Sequence, residues 1–439
     1  MEKSNICKII ILIVIPIIVW LVYIGVLTEG KFQILTDELN YFKDLSISFS
    51  QGKLNIERPY SWMPASDLVF FEGEYYLYWP PVPAVVYMPF TWTLGRNTPD
   101  TAITNSFGAL NILLLIILLE MFSKRYGLKT GCTGIIFLSV FWAVGTVHYY
   151  MSTMGTVWYV SQIMAQTFLL LSVIFILART SLATLFLSGL FYSLAVYTRN
   201  DLFFAIVFIA AVYFTKDIKL NRKILVDDCL AFLFPFVVFS VANLLYNYAR
   251  FGSVFENGLK YHLMDPYFLA NFKNYGYFSL HYVPYNFIRE VFWPPPFKSV
   301  LPFFDFNFQG FGFLWASPVF VFGFAAAFYY IDAVKRRIRG YDTDTALSRD
   351  DLIVMSGALI SGLLIAFVIF MIMGTGWGQF ASRYSVDYQL MMLLFGVFII
   401  KFWKGRFFKS VLVVLLLCSV YMNYCGMRYF MQVIMNRIR

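Results

Sequence analysis

Two adjacent carboxylates, Asp37 and Glu38, stand just beyond the first long apolar stretch of this chain. A carboxylate at the level of lipid headgroups can take a proton from a hydroxyl held beside a lipid-linked phosphate. Other groups suit the same chemistry. Arg199 sits in Tyr197-Thr-Arg-Asn-Asp201, and Arg383-Tyr384 closes the Gly374-Thr-Gly-Trp-Gly-Gln-Phe-Ala-Ser-Arg-Tyr run. A guanidinium near a membrane is costly and presents a fork that matches phosphate oxygens. Asp67 precedes an aromatic cluster, Tyr76, Tyr78 and Trp79, that ends in Pro80-Pro81-Val82-Pro83. Flat aromatic faces pack on sugar rings, and they also anchor proteins at the lipid–water boundary.

Each of these residues has a plainer reading. Asp37 can cap a helix and Glu38 can favour its positive end. Asp67, Glu72 and Glu74 can be solvated charges around a hairpin over 70–78 that turns at Glu72-Gly73-Glu74. Arg199 can pair with Asp201 or snorkel to the interface. Arg383 and Asp387 are spaced to pair on one helix face. Arg250, His262 and His281 are weaker candidates, and His148 at a span end reads as structural. Three histidines in 439 residues argue against a histidine-rich metal site.

The elements that must hold these groups are membrane helices. The chain is 60% hydrophobic and 13% charged, too apolar for a soluble surface of this size. Apolar stretches of roughly 18 residues or more recur, and no alternating barrel pattern does. The expected fold is therefore all-α and polytopic. Its spans fall at 9–27, 101–121, 132–149, 159–178, 181–198, 201–215, 229–247, 311–331, 352–373, 385–402 and 410–426, about eleven transmembrane helices. The piece 82–94 is too short to cross and should re-enter or lie at the interface. The net charge of +9 gathers beside span ends, as in cytoplasmic loops, and does not point to nucleic acid.

Short loops rich in Lys and Arg, around Lys124, Lys219, Arg336 and Lys404, set those loops and the N-terminus inside. The N-terminal apolar segment reads as an uncleaved signal anchor. Residues 1–439 then form a single integral membrane domain with two large outward loops, 28–100 and 248–310, and a last outer loop at 374–384. Arg428, Arg437 and Arg439 run against this assignment. A helix over 37–51, with Leu39, Phe42, Leu45 and Phe49 on one face, should lie in the outer interface. The five cysteines show neither a disulfide framework nor zinc spacing and read as buried free thiols.

Asp37-Glu-Leu-Asn-Tyr41 resembles the Asp-Glu-x-His-Phe motif of protein O-mannosyltransferases, with Asn40 and Tyr41 departing from it. The stretch from Asp67 to Pro83 looks like the first loop of bacterial members of the same superfamily, the GT-C glycosyltransferases. The aminoarabinose transferase of lipid A, also a member, has an acidic-Lys pair where this chain has Tyr78-Trp79, which argues against the same substrate. Arg199 after the middle spans, the 243–286 region and the Gly-Trp…Arg-Tyr-x-x-Asp element before a late span resemble the bacterial branch in the same order.

The resemblance implies transfer of a sugar from a polyprenyl phosphate to an acceptor on the outer face of a bacterial plasma (inner) membrane. It implies Asp37 as base with Glu38 beside it. Arg199, Arg383 and Tyr384 would hold the donor phosphate, and Tyr76, Tyr78, Trp79 and Asp67 the sugar or acceptor. If a divalent metal takes part, Asp37 and Glu38 are the residues to hold it. The partners implied are the polyprenyl-phosphate sugar, membrane lipids and a lipid, glycan or protein acceptor. Abundant Phe, Ile, Lys and Asn suggest an AT-rich bacterial genome, and hence undecaprenyl phosphate. The rival readings are a lipid-linked glycan flippase or transporter, and a polysaccharide polymerase. A transporter would need charges at mid-membrane, and these are scarce.

Overall fold

The computed structural model describes residues 10–32, 39–57, 67–215, 222–340, 346–376, 378–403 and 405–434. Asp37 and Glu38 lie outside the described residues, as do Arg437 and Arg439. Among the described residues seven helices are long and apolar enough to cross a membrane, and four shorter apolar helices of 10–17 residues accompany them. The chain is a multi-pass helical membrane protein.

Burial sorts these helices into an inner and an outer set. Val157–Ala178 is central, with 83% of its apolar window buried, against 17% for Lys223–Phe251 and 28% for Arg406–Gln432. The central helix packs on Asp100–Arg125 and on Leu182–Val196. It carries Gln162 and Gln166 on its inward face, both buried. A buried amide is tolerated only when bonded, and each of these donates to the backbone near Arg383 and Val386. His148 is structural as expected. It is fully buried and within 3.2 Å of Tyr23, Ser152 and Asn111.

The first loop departs from its expected form. The helix runs Tyr41–Ser50 and is capped by Asn40, whose side chain accepts from the Lys43 N–H at 3.3 Å. It is not a surface helix, because its polar face finds ion partners. Lys43 pairs with buried Asp100 at 2.9 Å, and Arg96 pairs with buried Asp44 at 3.2 Å. The hairpin is present as Val69–Phe71 against Glu74–Tyr76. Glu72 and Gly73, with φ of 49° and 86°, form its turn, which positive-φ central residues favour. Residues Val82–Leu94 form a helix with Val85, Phe90 and Trp92 exposed. The expected 132–149 span is shorter, ending at Val144 before a separate turn at His148–Met151.

The cysteines also differ from expectation. Cys132 is disulfide-bonded. Cys229 and Cys418 are free but exposed, on helices whose surfaces are mostly uncovered.

Candidate active site

Three loop segments far apart in sequence are joined by backbone hydrogen bonds. Leu263 N–H donates to the Leu68 carbonyl at 2.8 Å, and Val69 bridges His262. Met373 N–H donates to Tyr277, and Ser279 N–H to Met371, both at 2.9 Å. Gly378 N–H donates to Phe308 at 3.0 Å, and Ser382 N–H to Phe311 at 3.0 Å. The regions expected to be the first, second and last outer loops therefore form one layer over the ends of the inner helices.

Beneath that layer is a cavity of about 490 Å³. It is lined by Asp67, Tyr78, Trp79, Arg199, Arg383 and Tyr384, six of the candidates singled out in the sequence. Tyr76 does not line it. The strand ends at Tyr76, so the alternation that would align it with Tyr78 stops there, and its ring packs on Phe251 at 5.3 Å. Of the weaker candidates only His262 reaches the cavity. Arg250 instead donates to the Leu77 carbonyl at 2.6 Å and to Asn247 at 2.8 Å, holding the first loop in place. His281 stacks on Tyr275.

The two arginines have different surroundings. Arg199 donates to Asp387 at 2.6 Å and lies 3.4 Å from Asp201. Asp387 also accepts from Gln162 at 3.0 Å. Asp387 thus serves Arg199, and the Arg383–Asp387 pair expected from their spacing is not made. Among the described residues Arg383 has no carboxylate within ion-pairing distance, although it is only 6% exposed. Its Nε is buried without a hydrogen-bond partner. Aromatic faces surround its guanidinium: Tyr384 at 4.9 Å, Tyr159 at 5.7 Å and Trp158 at 5.9 Å. Such faces offset part of the cost of burying a cation.

Two carboxyls bear on this charge. Asp67 is partly buried and accepts from Trp158 Nε1 at 3.2 Å. Burial pushes it up to about 6, against the opposing pull of Arg383 and the Trp158 bond, so it is ionised at neutral pH. Glu290 is buried behind the last loop and accepts from Ser382 at 3.0 Å. Burial pushes it up to about 8, which disfavours its charged form and leaves it a weak countercharge for Arg383. Both ring nitrogens of His262 are buried without partners, and burial lowers it to about 4. It faces Tyr78 at 4.8 Å as a neutral ring.

The arrangement can bind an anion against Arg383 and a polar ring against Tyr78, Trp79 and Trp158. Trp158 and Gln162 escaped notice in the sequence because each sits in an apolar run with no charge beside it, and Tyr277 because it is one of several tyrosines in a polar loop stretch. Among the described residues no three His, Cys, Asp or Glu side chains cluster to hold a metal.

The fold has solved counterparts. An archaeal oligosaccharyltransferase from Archaeoglobus fulgidus, in its apo form, superposes with a TM-score of 0.51 at 12% identity, covering 97% of this chain and 56% of the archaeal one. The same enzyme tethered to an acceptor peptide containing the NVT sequon gives 0.52 at 12% identity, covering 98% and 55%. ArnT from Cupriavidus metallidurans, bound to undecaprenyl phosphate, gives 0.43 at 11% identity over 100% of this chain and 78% of that one. No protein-family model and no curated sequence matches the chain. The chain shares the fold of the archaeal enzyme and spans a little over half of that enzyme's length.

Proposed function

We propose that this protein transfers a sugar from a polyprenyl-phosphate donor to an acceptor hydroxyl or amine at the outer face of the membrane. The observation that carries this reading is Arg383, a buried guanidinium without a carboxylate partner among the described residues, in a cavity walled by aromatic rings. A buried cation left uncompensated costs several kcal/mol, and an anionic ligand would relieve that cost.

In this reading the donor phosphate lies against Arg383 and Tyr384, and the sugar ring against Tyr78 and Trp79. The acceptor oxygen attacks the anomeric carbon on the face opposite the phosphate. A new oxygen–carbon bond forms, the carbon–oxygen bond to phosphate breaks, and the configuration inverts. Asp37 takes the acceptor proton. Leu39, two residues further on, supports this assignment, because its carbonyl accepts from Val157 N–H at 3.0 Å, beside Trp158 of the cavity. Two extended residues reach about 7 Å. The phosphate leaves as a stable anion held by Arg383, so no general acid is needed. Asp67 orients the acceptor or a sugar hydroxyl. Glu38 assists Asp37, and it is with Asp37 that a divalent metal would bind.

The test uses purified protein in lipid with radiolabelled undecaprenyl-phosphate sugars, following release of label from the lipid. Donor-dependent release should occur in the wild type. It should fall about 100-fold or more in Asp37→Asn. Full activity in that variant would remove Asp37 as base, and loss in Asp67→Asn instead would move the role there.

A further inference from the structure

A second cavity, of about 350 Å³, lies away from Arg383. Four helices wall it: Gly131–Val144, Phe322–Ile338, Val386–Gly396 and Arg406–Tyr429. The helix that begins beside Arg383 reaches this cavity only from Met392 onward. Gly396 is about 20 Å further along it than Arg383. The cavity is therefore near the opposite side of the bundle.

Its walls are apolar, with Phe137, Phe320, Leu393 and Leu412 among them, and among the described residues no Asp or Glu lines it. Val413, on one wall, is 50% exposed, so the slot adjoins the lipid-facing surface. Its floor is open because two helices meet there through glycines. A Cβ at Gly396 would lie 3.7 Å from Gly323 Cα, and a Cβ at Gly323 would meet nothing within 4 Å. Lys129 and Lys409 stand on the rim, both exposed. Neither is in an ion pair among the described residues. Both lysines lie at helix starts, where the peptide dipoles add to the positive potential.

We infer that this slot binds one anionic phospholipid from the leaflet on the Lys129 and Lys409 side. One acyl chain lies over Gly323, and the phosphate sits between the two lysines. Apolar walls favour the chain, and juxtamembrane cations favour an anionic headgroup. A zwitterionic headgroup would bring its own ammonium against two lysines, with no acidic side chain among the described lining residues to receive it. The site is separate from the transfer reaction and does not depend on it.

The test is native mass spectrometry of the full-length protein released from nanodiscs of equal phosphatidylglycerol and phosphatidylcholine. The wild type should retain one phosphatidylglycerol in preference to phosphatidylcholine by about tenfold or more. The double variant K129Q/K409Q should abolish the preference, while K335Q/R337Q, which removes the same charge elsewhere, should leave it. Gly323→Leu, which fills the slot and keeps both lysines, should reduce retention of both lipids. Equal retention of the two lipids by the wild type would overturn the inference, as would an unchanged preference in K129Q/K409Q or an equal loss in the control. The exposed lysine pair keeps the test decisive even if Gly323→Leu fails to fold.

Discussion

Removing the Arg199 guanidinium strands a buried carboxylate, and removing that of Arg383 strands none among the described residues. Arg199→Ala leaves Asp387 unpaired inside the protein and should cost about 3–5 kcal/mol, seen as a lower unfolding temperature in detergent. Arg383→Ala should leave that temperature unchanged or raise it while donor-dependent turnover is lost. A matching loss of stability in both variants would remove the distinction. Asp67 makes a prediction in pH. Burial raises it from 3.8 to about 6 in the folded chain, so the folded state binds its proton more tightly than the unfolded state does. This group therefore adds stability as pH falls from above 6 toward 3.8, and the gain is absent at pH 8. Asp44 and Glu290 are shifted the same way, so the informative quantity is the difference between wild type and Asp67→Asn over that range. If Asp67 works as a carboxylate, turnover should decline as pH drops through about 6 and the variant should lack that limb. Residue types identified Asp67, Arg199 and Arg383 as candidates, but their pairing was not legible. Helical spacing favours Arg383 with Asp387, whereas the fold brings Arg199 to Asp387 from the extended break that follows Leu182–Val196.

The last loop shows how elements set the position of Arg383. Gly376 has a φ of +90°, and a Cβ there would lie 2.9 Å from Arg383 Nε. The Arg383 N–H donates to Gln379 Oε1 at 2.9 Å, and Gln162 donates to the Arg383 carbonyl at 3.2 Å. Gly376→Ala should cost about 1–2 kcal/mol of stability from its backbone conformation. By displacing the guanidinium it should cost about 100-fold in turnover, which steady-state kinetics would measure. The first loop is held by a different device. Asp100 accepts from Lys43 at 2.9 Å and from Asn40 at 3.3 Å, so one buried carboxylate anchors the start of the Tyr41–Ser50 helix. Lys43→Met should destabilise by about 3–5 kcal/mol and, through the displaced loop, lower turnover as well. Apolar spacing made this helix legible. Its burial was not, because its polar face meets charges on Arg96 and Asp100 that lie more than fifty residues further along the chain.

Over the whole molecule, the bilayer makes the spans legible, since only long apolar helices satisfy their backbone in lipid. Which helices are central was less evident, because lipid and protein interior are equally apolar. Buried glutamines on Val157–Ala178 were the available mark. The Lys and Arg bias predicts that the Arg383 cavity faces outward. In a background with Cys229, Cys418 and Cys425 replaced by Ser, a cysteine at Phe255, which is 87% exposed, should react with an impermeant maleimide in intact cells. A cysteine at Arg337 should react only after lysis. The reverse pattern would invert the orientation. The bond between Arg199 and Asp387 spans 188 residues, and this has a consequence for biosynthesis. A chain inserted from its N-terminus places Arg199 at the membrane edge long before Asp387 is made, with Asp201 as its near countercharge. Until then the guanidinium must be kept in contact with water or headgroups. When the late helix enters, its acidic residue meets a cation already in place, which lowers the cost of taking a carboxylate into the bundle. The same helix start brings in Arg383, so the closing of the bundle and the completion of the anion site are one event.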